Sequence, residues 1–380
     1  MKKLLYIIIP VLFFGCIDEY NPRGIEEISN LLVVEGTVTD GESVFKLSRS
    51  VGLMEDLSKS DNSINDALVY VEKENGERIQ GYLSAEGTYT VATEKLDAKA
   101  KYRFYAVVDN DEYSSGFLSP LYTPEIDDIA LIKRRDGVPV DVCVTTHDPY
   151  DQSRYYLWSY EEHWEVKAEL FANFGLLDGD LDYFSLSSPR NTYYCWAKDS
   201  SKTMILGTAE KLVENTIYQK KIKEIPCSDE RLSILYYINV KQMQIRKEAY
   251  DYFFNIQKNV EQTGSIFSPV PSEIKGNIIC STNPDLPVIG YIDVSSITER
   301  DLFNDGSELY EAPVAVCHSS ITDDVSLAYP TYGYYEVVMN VPIDLALRLP
   351  ILYAPHDCVD CRRKDRATKN KPVFWPNNHL

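Results

Sequence analysis

Residues 30–50 read NLLVVEGTVTDGESVFKLSRS, and the fold turns on how they are read. Leu32, Val34, Gly36 and Val38 alternate, Asp40-Gly41 supplies a hairpin turn, and Val44, Lys46 and Ser48 continue the period on the returning strand. A period of two places one face of a sheet against a core and the other in water. The device repeats in DALVYVEKENGERIQGYL, where Ala67, Val69 and Val71 alternate and Asn75-Gly76 turns. GTYTV and YRFYAVVDNDEYSSG follow, the latter with Tyr102, Phe104, Ala106 and Val108 on one face. Strands this short and this evenly spaced predict a prealbumin-like or Ig-like β-sandwich over residues 30–122.

Outward from there, LSPLYTPEIDDI breaks the period with two prolines and sets a boundary near Pro120 to Pro124. Residues 123–380 read as a larger β-rich, sandwich-like domain with one amphipathic helix near 246–262. In that helix Ala249, Phe253, Ile256 and Val260 fall at helical spacing, and Gly264 supplies a stop. Further strands are expected at Ile274 to Cys280 and Val288 to Val294. In one strand Tyr156, Trp158, Tyr160, Glu162 and Trp164 share a face. The four aromatics of that stripe are candidate ligand-facing residues, able to stack on a sugar; the competing reading, which the large buried area of aromatics favours, is the wall of a core.

The 28 tyrosines and the scarcity of alanine-rich helical stretches agree with a mostly β chain. A net charge of -20 argues against nucleic acid as a partner. Arg362, Arg363, Lys364, Arg366, Lys369 and Lys371 form a basic exception, read as a solvated tail in preference to a docking patch for an acidic partner or lipid phosphate.

The first residues, MKKLLYIIIPVLFFGCIDEYNP, place two lysines before an apolar run and a small residue before Cys16. Residues 1–15 therefore read as a signal peptide too short to remain as a spanning helix, and residues 16–29 as a tether. Gly15-Cys16 resembles a bacterial lipobox, which makes Cys16 the expected lipidation site. The acidic residues behind it, Asp18 and Glu19, resemble a surface-export signal of Bacteroidota lipoproteins. That implies a protein lipid-anchored in the outer membrane and facing the cell exterior, where disulfides persist.

The compartment bears on HDCVDCRRK at 356–364. No second C-x-x-C exists, and the five histidines form no metal-ligand spacing, so a disulfide clasp is favoured over zinc for Cys358 and Cys361. Cys195, Cys227 and Cys317 are their candidate long-range partners, with the connectivity open. Cys143 and Cys280 lie in apolar runs and read as core fillers. Asp178, Asp180 and Asp182 begin like a calcium loop, but Tyr183 and Pro189 occupy the positions of the turn glycine and the bidentate glutamate. There is no G-x-S-x-G elbow, H-E-x-x-H or Gly-rich phosphate loop, so the expectation is a protein that is not an enzyme and uses no cofactor.

DPYDQSRYYLWSYEEHWE, AYDYFFNIQKNVEQTGSIFSPVPSEIKGNI, VIGYIDVSS and CVDCRRKDRATKNKPVFWP together resemble the Bacteroidota lipoprotein family called domain of unknown function 4249. Where the family tends to carry a Gly-Gly turn after the cysteines, this chain has RRKDRATKN. The resemblance implies a surface lipoprotein associated with a TonB-dependent outer-membrane barrel, as an accessory or cargo-binding partner. The alternative is a stand-alone glycan-binding or adhesion module using the aromatic stripe.

Overall fold

The computed structural model describes residues 30–51, 62–171, 174–177, 180–183, 185, 188, 191–262, 275–314, 317, 320–322, 335–338 and 351–376. The signal peptide, Cys16 and its tether, Gly264 and the SIFSPVP stretch lie outside them.

The first eight strands are β1 (Leu32–Gly36), β2 (Gly41–Arg49), β3 (Leu68–Lys73), β4 (Arg78–Gln80), β5 (Tyr82–Ala85), β6 (Thr88–Thr93), β7 (Tyr102–Val108) and β8 (Asp111–Ser115). The next nine are β9 (Ile126–Ile132), β10 (Val140–His147), β11 (Tyr155–Lys167), β12 (Phe174–Leu177), β13 (Asp180–Tyr183), β14 (Tyr194–Ser200), β15 (Ile205–Thr208), β16 (Thr216–Ile225) and β17 (Leu235–Gln244). Helix α1 (Lys247–Gln262) follows, then β18 (Ile278–Cys280), β19 (Ile297–Asp305), β20 (Ser320–Thr322), β21 (Tyr335–Val338), β22 (Ile351–Pro355) and the one-turn α2 (His356–Val359). The chain is mostly β, in antiparallel sheets, as its alternation predicts.

Sheet β1-β2-β6-β5 packs on sheet β18-β8-β7-β3-β4 to form the first sandwich. Leu32, Val34 and Val38 face inward as read from the sequence, but β2 turns the opposite parity to the core. Phe45 and Leu47 are fully buried, and Val44 is 45% exposed. The physical reason is volume: a phenyl and an isobutyl group gain more from burial than Val44 paired with Lys46 and Ser48 would. Phe45 meets Phe104 of the facing sheet at 5.0 Å between ring centroids.

The expected boundary near 122 needs correcting, because the first sandwich is completed by residues that follow α1. Strand β18 pairs with β8, and Ile278, Cys280, Val288, Ile292 and Val294 join the same core. The stretch expected as a strand at Val288 to Val294 is instead extended chain held by single parallel bridges, Val33 to Ile289 and Val38 to Val294. Gly290 lets it lie this close: at φ +153, a Cβ there would stand 2.4 Å from the Val34 carbonyl oxygen.

Sheet β16-β10-β9 packs on sheet β14-β11-β17-β19, with β15 also paired to β11, to form the second sandwich. A further sheet runs β13-β12-β21-β22-β20. In it Asp180–Tyr183 is a strand paired to Phe174–Leu177, so Asp180 and Asp182 belong to a hairpin and not to a calcium loop. Helix α1 packs through Ala249 and Tyr252 against Tyr155, Leu206, Met243 and Tyr291, with Phe253 half-buried beside them.

The two sandwiches share a dense polar junction. Thr123 Oγ1 accepts from the Gln244 amide at 2.9 Å, and the Thr123 amide donates to Ser296 Oγ at 2.9 Å. Asp293, 2% exposed, accepts from the Arg246 amide at 2.9 Å and pairs with the Arg246 guanidinium. Burial pushes the Asp293 carboxyl up, with Arg246 opposing it.

Candidate functional site

Strand β11 is central in its sheet, paired to β17 along one edge and to β14 and β15 along the other. That position decides the fate of the aromatic stripe. Trp158 is fully buried, Tyr156 is 1% and Trp164 5% exposed, and Tyr160 is half-buried. The ligand-facing reading of Tyr156, Trp158, Tyr160 and Trp164 is therefore corrected: these rings face the opposing sheet. Trp158 Nε1 donates to Gln242 Oε1 at 2.8 Å, and Gln242 Nε2 donates to the Pro124 carbonyl and to Thr146 Oγ1. Gly207 on β15 leaves room for the indole, since a Cβ there would stand 2.5 Å from the Trp158 ring.

The fifth residue of that face, Glu162, is fully buried and organises a charge cluster. Lys223 Nζ of β16 donates to Glu162 Oε1 at 2.8 Å, Arg231 Nε donates to the same oxygen at 3.1 Å, and the Tyr236 hydroxyl donates to Oε2 at 2.8 Å. Arg231 also binds Asp229 at 2.7 Å and lies over the Trp164 ring at 4.4 Å, while Lys223 lies over Tyr160 at 5.0 Å. Burial and the neighbouring Glu162 carboxylate both push the Tyr236 phenol well up, so it stays a proton donor. Sequence shows Glu162 facing inward only through the parity of its aromatic neighbours. Its cations come from 61 and 69 residues further on, and no local signal announces them.

The C-terminal segment closes over one edge of this sheet. Cys195 of β14 is bonded to Cys361, and Cys317 to Cys358, while Cys143, Cys227 and Cys280 are free. Cys143 and Cys280 are buried in their strands. The basic segment is docked on the fold, although Arg362, Arg363 and Arg366 remain exposed to solvent. Arg362 grips Asp360 at 2.6 Å, Arg363 approaches Asp357 at 3.9 Å, Lys364 pairs with Glu230, and Arg366 pairs with Asp199. Thr368 and Trp196 exchange backbone hydrogen bonds of 2.9 and 2.8 Å, Lys369 Nζ donates to the Tyr194 carbonyl at 2.7 Å, and Lys371 lies over the Trp196 ring at 5.9 Å. The tail thus satisfies edge strand β14, which would otherwise offer unpaired backbone groups. Beyond it Trp375, 4% exposed, donates to Glu165 Oε2 at 3.3 Å. Phe374 rests on Tyr237 at 4.6 Å between centroids and on His163 at 5.2 Å.

What this arrangement can do chemically is hold. The Glu162 carboxylate accepts from three donors, and no three His, Cys, Asp or Glu among the described residues converge to hold a metal ion. A shallow hollow of about 410 Å³ in the first sandwich is lined by residues that include Lys73, Glu74, Asn75, Asp97, Lys99 and Lys101. Lys101 is already paired with Glu74 at 3.1 Å, and Lys73 with Glu77 at 2.8 Å. Among the described residues no helix is long and apolar enough to cross a membrane.

Two β-sandwiches, the second clasped by cystines and an inward-folded tail, define the class: a modular, disulfide-braced β protein. The chain belongs to the family described as domain of unknown function (DUF4249), whose profile matches residues 17–301. Similar solved structures are the FN1-FN3 domains of chicken CNTN1, at 12% identity and TM-score 0.16, covering 56% of this chain and 59% of that one. A two-domain fibronectin type-III segment of chicken tenascin gives 9% identity and TM-score 0.16, with 57% and 91% covered. At these scores nothing about function follows from either. A search of curated proteins returned no match.

Proposed function

We propose that this is a non-enzymatic surface lipoprotein, anchored in the outer membrane through Cys16, that serves a TonB-dependent barrel as an accessory or cargo-binding subunit. The observation that carries the extracytoplasmic half of the reading is the pair of cystines, closing sequence separations of 166 and 41 residues. Bonds of this kind persist in oxidising compartments and are rare where thiol buffers act. The basic-apolar-small-Cys order of residues 1–16 supports lipid attachment. The half that assigns a barrel partner rests on the resemblance alone. The stand-alone glycan-binding reading loses its motive, because the stripe it needed is interior.

The test is a mild-detergent isolation of the lipidated protein from its native outer membrane, followed by mass spectrometry. A barrel recovered in stoichiometric amount supports the reading. Recovery of the protein alone, with no crosslink to a barrel, removes the partner. A Cys16→Ala variant that still fractionates with membrane and takes up no less labelled palmitate removes the anchor.

A further inference from the structure

Cys358 and Cys361 form a C-x-x-C pair, yet each is bonded to a distant cysteine. Asp360 stands between them. It is extended, with φ -118 and ψ 105, and separates α2 from a one-turn 3-10 helix at Cys361–Arg363. Its side chain, 1% exposed as a residue, accepts from the Arg362 amide at 2.9 Å and is gripped by the Arg362 guanidinium. Cys358 is packed with Ala354, Val359 and Leu170, while Cys361 is packed in the core of the second sandwich.

The two cystines also differ in access. Cys195 and Cys361 are both fully buried, whereas Cys358 is 8% exposed and Cys317 only half-buried. Of the four, Cys317 is the least buried residue, and exchange depends on access to the attacked sulfur.

We propose that the C-x-x-C pair is a thiol-disulfide exchange site through which an external dithiol opens the buried Cys195–Cys361 bond indirectly. One thiolate of the dithiol attacks Cys317 Sγ, forms a mixed disulfide and expels the Cys358 thiolate. With only two residues between them, Cys358 then attacks Cys361 Sγ, forms a Cys358–Cys361 bond and expels the Cys195 thiolate, which takes a proton. The second thiol of the dithiol attacks its own sulfur in the mixed disulfide, releasing Cys317 as a thiol and leaving the dithiol as a cyclic disulfide. Two cystines and a dithiol thus become one cystine, two protein thiols and one oxidised dithiol. Both covalent anchors of the tail are lost in this single exchange. Residues 362–371 then depend on the Thr368–Trp196 backbone pairing and on partly exposed ion pairs such as Arg366 to Asp199, the latter screened by salt.

The test treats the oxidised full chain with dithiothreitol under native conditions, quenches with iodoacetamide over time and maps the peptides. The expected result is a transient species with Cys358 bonded to Cys361 and with Cys195 and Cys317 both alkylated. In a Cys317→Ser, Cys358→Ser double variant, the Cys195–Cys361 bond should open at least about tenfold more slowly, because its route through Cys358 is gone. Absence of the Cys358–Cys361 species at every time point overturns the proposal, whatever the variant does. So does an unchanged rate of Cys195–Cys361 opening in the variant. If the variant does not fold, the mapping of the unaltered chain decides alone.

Discussion

In the first sandwich the two sheets meet through Phe45 and Phe104, ring against ring, with apolar residues from both sides around them. In the second, the aromatic wall of β11 encloses a carboxylate, Glu162, held by Lys223, Arg231 and Tyr236. Cystines and a folded-back tail brace that second unit, while the first has no disulfide among its described residues and keeps Cys280 as a free, buried thiol. The lesson concerns what a core needs in order to be specified. Alternating apolar strands with tight turns close on themselves, and any residue of suitable volume serves. A core with a charge inside penalises the alternatives, because an arrangement that leaves an ion unpaired in low dielectric is costly.

Trp158→Ala and Phe45→Ala carry the largest expected effects, about 3–5 kcal/mol each, because both remove large buried rings. Urea denaturation of each variant measures the loss. If Trp158→Ala leaves the midpoint unchanged, the stripe is not core and the comparison fails.

Glu162→Ala should cost about 3 kcal/mol or more by leaving Lys223 and Arg231 without their shared carboxylate. The sharper form is a triple change, Glu162→Leu with Lys223→Met and Arg231→Met. Apolar replacement of the whole cluster should recover most of that loss, and chemical denaturation of both variants would show whether the cluster specifies the fold more than it stabilises it.

Acid provides a smaller and directional test. Burial pushes the carboxyls of Glu72, Asp148 and Asp199 up, but the arginines at Glu72, the backbone amides at Asp148 and Arg366 at Asp199 outweigh it, so all three lie below their ordinary values of 4.5, 3.8 and 3.8. For a depressed carboxyl the unfolded chain binds more protons, so its contribution is present above the ordinary value and is lost as pH falls through the folded one. Melting temperature should therefore hold near neutral pH and fall below about pH 4. An Arg366→Ala variant should lose part of that acid sensitivity through Asp199, read from the same melting series.

The smallest effect expected is Val44→Ser. On the outward parity of β2 it should stay within about 0.5 kcal/mol, against several for Phe45→Ala one residue along. Equal losses at the two positions would reverse the assigned parity.

Much of the first sandwich was legible because its information is local. Leu32, Val34 and Val38, the Asn75-Gly76 turn and the inward face of β7 can each be read within a few residues. The parity of β2 was misread because Val44 tempts a valine-based register, while the deciding quantity is the larger volume of Phe45 and Leu47. At the clasp, residue types narrowed the partners to Cys195, Cys227 and Cys317 but left the choice among them open. Cys195 and Cys317 take the terminal pair, and Cys227 lies instead against Glu311 at 3.4 Å.

By itself the sequence determined a β protein with short hairpins, one helix and an aromatic strand, because periodicity and turn chemistry act over a few residues. Tertiary structure alone decided that residues 276–296 return to complete the first sandwich, that Glu162 meets Lys223 and Arg231, and that the basic segment folds inward onto β14. Each of these joins groups far apart in the chain, where pairing is fixed by burial and charge balance across the whole fold and by nothing the neighbouring residues encode.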